Sequence, residues 1–221
     1  MNSRRKFIQN SVLASTALFY KKVIPFNVEQ SYITKRPAIG KRNFTSKGVN
    51  QFIENAKEKI KDPELAWLFE NCYPNTLDTT VEFEIINNKP DTYVITGDID
   101  AMWLRDSTAQ VTPYLPFVKT DKELAELVEG VINRQKKCVL LDRYANAFYK
   151  DVKKESEWKS DLTTMQPGIH ERKWEIDSLC YPIRLAYKYW NLTGNTAVFD
   201  DEWVKAIEGT VKTFKEQQRK E

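Results

Sequence analysis

Glycine, histidine and cysteine are scarce in this chain. Seven glycines among 221 residues include no glycine-rich loop of the phosphate-binding or dinucleotide-binding kind and no GxSxG nucleophile elbow. A single histidine, His170, does not furnish both a metal shell and a catalytic base. The three cysteines, Cys72, Cys138 and Cys180, lie far apart and form no CxxC pair. Their odd number argues against a disulfide framework, and three buried free thiols are expected. No stretch approaches the roughly 20 consecutive apolar residues of a membrane-spanning helix. Neither metal nor cofactor is expected, and no stable membrane span.

One-signed charge is also missing from the body of the chain. The formal net charge is +3, but Arg4, Arg5, Lys6, Lys21 and Lys22 are five bases with no acid among residues 1–22. Outside that segment 29 bases face 31 acids. No Lys/Arg stripe with interleaved aromatics marks a nucleic-acid partner. The segment itself orders a basic stretch before a short apolar run, Ser11 to Phe19, as secretion signals do. Ser3-Arg4-Arg5-Lys6-Phe7-Ile8 is similar to a twin-arginine signal. The expectation is an export signal over residues 1–24, a lead-in over 25–45, and a bacterial, periplasmic destination. A disordered basic tail is the competing reading.

What the chain has in quantity is helical periodicity and aromatic rings: six Trp, ten Tyr and eleven Phe. Val49, Phe52, Ile53, Ala56 and Ile60 recur at helical spacing behind a possible Ser46 N-cap, and Pro63 starts a second short helix. Residues 79–86 alternate apolar and polar, 87–91 form a turn cluster, and 92–96 are β-rich, which predicts one hairpin. A helix follows from about Asp106. Further amphipathic faces run through Leu124–Ile132, Ile176–Trp190 (with Pro182 inside) and Val204–Phe214. Successive helices with loops between them predict an all-α stack of helical hairpins. The charged helical pattern at the end has no stop signal, so a longer domain is expected.

Two segments could carry chemistry. The first, Thr96-Gly-Asp-Ile-Asp-Ala-Met-Trp-Leu-Arg-Asp-Ser107, follows a strand and gathers Asp98, Asp100, Trp103, Arg105 and Asp106. Carboxylates accept from sugar hydroxyls, a guanidinium donates a rigid fork, and an indole covers an apolar sugar face. A solvated turn in which Asp106 caps the next helix explains the same residues. The second, His170-Glu-Arg-Lys-Trp-Glu-Ile-Asp-Ser-Leu-Cys-Tyr181, sets Glu175 and Asp177 at a loop-to-helix junction. Desolvation by Trp174 and other apolar neighbours would raise a carboxyl's pKa, as a general acid needs. On the residues alone, a plain N-cap at Asp177 is the simpler reading. In a weaker third segment, 143–149, Asn146 could bond a hydroxyl, or a polar loop with buried aromatics explains it.

Together TGDIDAMWLRDS and KWEIDSLCYP resemble motifs of glycoside hydrolase family 125, over about Ser46 to the end. That resemblance implies an (α/α)6 barrel, here incomplete, over residues 46–221. It implies a metal-independent, inverting exo-α-1,6-mannosidase acting on mannose-containing glycans. It makes Asp177 the general acid and places terminal-mannose contacts within Asp98 to Asp106, Arg105 and Asp106 foremost; Asn146 stays a substrate-binding candidate on the residues alone. It puts the general-base Glu beyond Glu221, so this chain alone is expected to be inactive. Another (α/α)6 glycosidase of glucoamylase type and a non-catalytic glycan-binding remnant are the alternatives, and the oligomeric state is left open.

Overall fold

In the computed structural model, local signals account for most of the elements. The structure describes residues 32–218, so the expected export signal over residues 1–24 lies outside them. Ser46 Oγ accepts from Val49 N at 3.1 Å and opens α1, Lys47–Lys59. Asp62 caps α2, Pro63–Cys72, with Pro63 in the first turn, where its missing N–H costs nothing. Before α1, the lead-in is tied down by Arg36, which donates to Asp78 at 2.7 Å and to Asn50 at 3.0 Å.

The expected hairpin forms from β1, Val81–Ile86, and β2, Lys89–Val94, paired antiparallel with Val81 opposite Val94. Its turn is narrower than the sequence cluster. Only Asn87 and Asn88 lie outside the strands, at φ 52° and 61°, the left-handed pair that a two-residue hairpin loop requires. Lys89, Pro90 and Asp91 belong to the strand. Pro90 fits there because β2 has only β1 as a strand neighbour.

Beyond the hairpin come β3 (Met102–Trp103), α3 (Leu104–Val111), a 3-10 turn (Thr112–Phe117), α4 (Lys122–Leu141), β4 (Ala147–Phe148), β5 (Ile169–Glu171), α5 (Ile176–Thr193) and α6 (Asp201–Gln217). The described residues are therefore mostly helical, as expected, with two small antiparallel sheets. No helix among them is long and apolar enough to cross a membrane.

Helix α4 is the axis of the core. Its Leu124, Leu127, Val128, Val131 and Ile132 are fully buried, with β2 packed on one side and α5 and α6 on others. The hairpin approaches α4 closely: Thr92 Oγ1 donates to Leu127 O at 2.8 Å. A Cβ on Gly130 would stand 2.8 Å from Thr92 N, so this position requires glycine. Asp91 is buried and neutralised by Arg134 and by Lys137, the latter at 2.7 Å. The cysteines depart from expectation. Cys138, on the core side of α4, is buried, whereas Cys72 and Cys180 lie on exposed helix surface; all three are free thiols.

Candidate active site

The second small sheet sets the site. Strands β3, β4 and β5 pair antiparallel, with Met102 opposite Phe148 and Ala147 opposite Glu171. Leu104 N continues the ladder by donating to Asn146 O at 3.1 Å. Helix α3 starts directly after β3, and α5 starts a few residues after β5, so one sheet delivers two helix starts to the same place. Arg105 and Asp177 are each the second residue of their helix. Their side chains meet, Arg105 Nη1 to Asp177 Oδ2 at 3.1 Å. Arg105 Nε also lies 3.5 Å from Asp106 Oδ2. The hydrogen bond to Asp177, and next the charge of Asp106, raise the pKa of the guanidinium. Both partners of the long-range pair keep about 40% of their side chains exposed (41% and 39%), so a ligand can reach them.

An open depression of about 460 Å³ lies beside this pair, walled by Thr96, Gly97, Ile99, Trp103, Arg105 and Asp106. Gly97, at φ 74°, makes the tight turn that folds Thr96 back against Ile99. An indole, a guanidinium and a carboxylate thus share one wall, a combination suited to a polyhydroxylated ring.

The metal-independent alpha-mannosidase family model, GH125, matches residues 62–221. The chain belongs to family GH125. It is 41% identical over 191 residues to the Meiotically up-regulated gene 157 protein of Schizosaccharomyces pombe, covering 83% of this chain and 38% of that protein. It is similar at 43% identity and a TM-score of 0.70 to a Streptococcus pneumoniae structure described among metal-independent alpha mannosidases, in a non-productive complex with alpha-1,6-mannobiose. That match covers 77% of this chain and 39% of the other. The chain therefore spans under half the length of these relatives.

The fission-yeast relative corrects one expectation. A eukaryotic protein at 41% identity points against a bacterial, periplasmic location for this GH125 chain.

The other candidates from the sequence fall in different places. Asp98 is exposed at the loop tip. Asp100 is exposed too, and pairs with Lys154 at 3.1 Å. Neither lines the depression. Asn146 is 1% exposed, and both ends of its amide are occupied: Nδ2 donates to Glu171 Oε2 at 2.7 Å, and Oδ1 accepts from Lys173 N at 3.0 Å. The N-cap of α5 is Glu175, not Asp177. Glu175 Oε2 accepts from Ser178 Oγ at 2.9 Å. Nor does this chain close an apolar pocket around Asp177, because Trp174 and Ile176 turn toward solvent. Asp106, read alternatively as a cap, is the third residue of α3, whose N-cap Trp103 makes no side-chain capping bond.

Glu171 and Gln110 escaped the sequence reading of the site, and His170 entered it only as a lone histidine unable to build a metal shell. Glu171 accepts from Asn146, from Trp103 Nε1 at 3.4 Å, and from Lys173. Burial would raise its pKa, but the bonds from Lys173 and Asn146 outweigh burial and hold it below the ordinary carboxylate value. His170 is buried, packs edge-on to Trp103 at 5.1 Å, and shares a 2.8 Å hydrogen bond with Tyr149 Oη. Burial lowers its pKa. Gln110 lines the depression one turn after Asp106, with a buried Oε1 that finds no partner among the described residues. Only Gln110 had a usable signal, the i, i+4 spacing from Asp106 on a helix. Among the described residues, no three His, Cys, Asp or Glu side chains converge as a metal-binding group.

Proposed function

We propose that this chain supplies the sugar-gripping part of an exo-acting α-mannosidase with an (α/α)6 barrel. The enzyme removes terminal α-linked mannose, α-1,6-linked by preference, from glycans with inversion at the anomeric carbon. The observation that carries this reading is the 3.1 Å contact between Arg105 and Asp177. It joins Arg105, which lines the depression, to Asp177, 72 residues along the chain, which a solvated turn and a separate helix cap would have no reason to do.

In this reading Trp103 covers the apolar face of the terminal mannose, and Arg105 and Asp106 bond its hydroxyls. Asp177 protonates the departing glycosidic oxygen once the sugar hydroxyls have drawn Arg105 away from it. Inversion needs a second carboxylate about 6.5–9.5 Å from the first, which activates water on the opposite face of the ring. That base is the Glu that the family resemblance puts beyond Glu221. Asp98 and Asp100, exposed on the loop and outside the depression, meet only parts of the glycan that extend beyond it. Asn146 acts from behind, through Glu171, not on a hydroxyl directly.

The test is product analysis. The full-length protein, incubated with α-1,6-mannobiose and followed by proton NMR, should release β-mannose first, with chelators having no effect. Release of glucose from a glucoside in place of mannose would favour a glucoamylase-type enzyme, and initial α-mannose would refute inversion.

A further inference from the structure

A half-buried carboxylate behind the depression touches no sugar in the chemistry proposed above, yet it holds two of the residues nearest to it. Glu171 Oε2 accepts from Trp103 Nε1 at 3.4 Å and from Asn146 Nδ2 at 2.7 Å. The backbone repeats the link, Asn146 N donating to Glu171 O at 3.2 Å. Glu171 keeps 18% of its side chain exposed. Its other oxygen faces Lys173, whose side chain is 65% exposed. One oxygen therefore serves the interior and the other the surface.

Trp103 is the aromatic wall of the depression. An indole on a two-residue strand has two side-chain torsions to fix. The His170 ring packs against its edge at 5.1 Å, which limits its position. The bond from Nε1 to Glu171 limits rotation of the ring plane. Asn146, clamped between Glu171 and Lys173 N, keeps the carboxylate from turning away.

We infer that Glu171 is a positioning residue for sugar recognition, setting the plane of the Trp103 indole against which the mannose ring stacks. This rests on the mannosidase reading for its ligand, but not for its geometry. The side-chain chemistry separates the variants. Gln keeps one carbonyl oxygen for Trp103 and Asn146 and can turn its amide toward the surface. Asp keeps the charge but is one methylene short. Ala removes both.

The experiment labels the full-length protein with 5-fluorotryptophan and assigns the Trp103 fluorine resonance with Trp103→Phe. Glu171→Ala and Glu171→Asp should shift or broaden that line, and Glu171→Gln should leave it near its wild-type position. A Trp103 line unchanged in both Glu171→Ala and Glu171→Asp would overturn the assignment. If Ala fails to fold, Asp alone decides. In calorimetry with α-1,6-mannobiose on an Asp177→Asn background, where turnover is slow, Glu171→Ala should weaken binding about tenfold and add nothing when Trp103→Ala is also present, since coupled residues are not additive. Full additivity would also overturn the proposal. Loss of the fluorine signature in a protein whose wild type binds no mannoside would retain Glu171 as the residue that sets the indole and reject the mannosidase reading alone.

Discussion

Arg105 and Asp177 occupy the same position, the second residue, in two helices launched from one small sheet, and their side chains meet at 3.1 Å. A pair of this exposure contributes about 0–1 kcal/mol to stability, so its presence points to recognition more than to folding.

That difference gives the first prediction. Arg105→Ala in the full-length enzyme should lower kcat/KM roughly ten- to hundredfold, because a charge-assisted hydrogen bond is worth about 1.5–3 kcal/mol. Asp106→Ala should behave similarly, and Arg105→Lys should recover little, since an ammonium lacks the planar fork. Thermal denaturation should shift only slightly in all three. Unaltered kinetics in the folded variants would make the loop structural.

A second prediction concerns acid. Lys136 is fully buried and reaches Asp200 at 2.7 Å, and Lys89 adds a bond at 2.9 Å. Asp200 also caps α6, accepting from Trp203 N at 3.0 Å. Burial pushes the Asp200 pKa up, but the bonds from Lys136, Lys89 and Trp203 N more than offset this and hold it far below the ordinary value. A folded pKa below the unfolded one, about 3.9, contributes stability that is present above that pH. It is lost as pH falls toward the folded pKa. Denaturant titrations should therefore show stability falling below about pH 4, with a flatter acid limb in Asp200→Asn. Asp200→Ala, which leaves Lys136 only the more exposed Glu202 at 3.6 Å, should cost less than the about 3–5 kcal/mol of a fully stranded buried charge. An unchanged acid limb in Asp200→Asn would show that Asp200 does not set it.

The outer face of α5 and α6 yields a third. Tyr187, Trp190, Val204 and Val211 are each more than 40% exposed, beside a groove of about 480 Å³ lined by aromatic and aliphatic side chains. Apolar patches of this kind promote association. The 221-residue chain alone should self-associate in light scattering, and Tyr187→Glu with Val211→Lys should disperse it. A monodisperse wild-type chain would contradict this.

How much of this was legible beforehand depended on range. The Ser46 cap, Pro63 and the alternation through Val81–Ile86 are local signals, and the structure follows them. The sheet of β3, β4 and β5 is not local. Its two- and three-residue strands are too short for periodicity, and they pair residues as distant as Met102 and Phe148. Without that sheet, Trp103 and Glu171 have no reason to be related. Glu171 therefore passed unnoticed beside Glu175 and Asp177, although it sits in the same quoted motif. The apolar pocket expected for Asp177 is not closed within the described residues: Trp174 precedes the helix and Ile176 opens it, and both side chains are exposed.

The account stands most directly on Asp177. In the full-length enzyme, Asp177→Asn should reduce turnover of α-1,6-mannobiose by about 10²–10⁴-fold, the usual contribution of general acid catalysis. It should leave hydrolysis of mannosyl fluoride, whose leaving group needs little protonation, far less affected, and the melting temperature close to wild type. Equal, mild losses on both substrates would contradict the assignment of Asp177 as the acid.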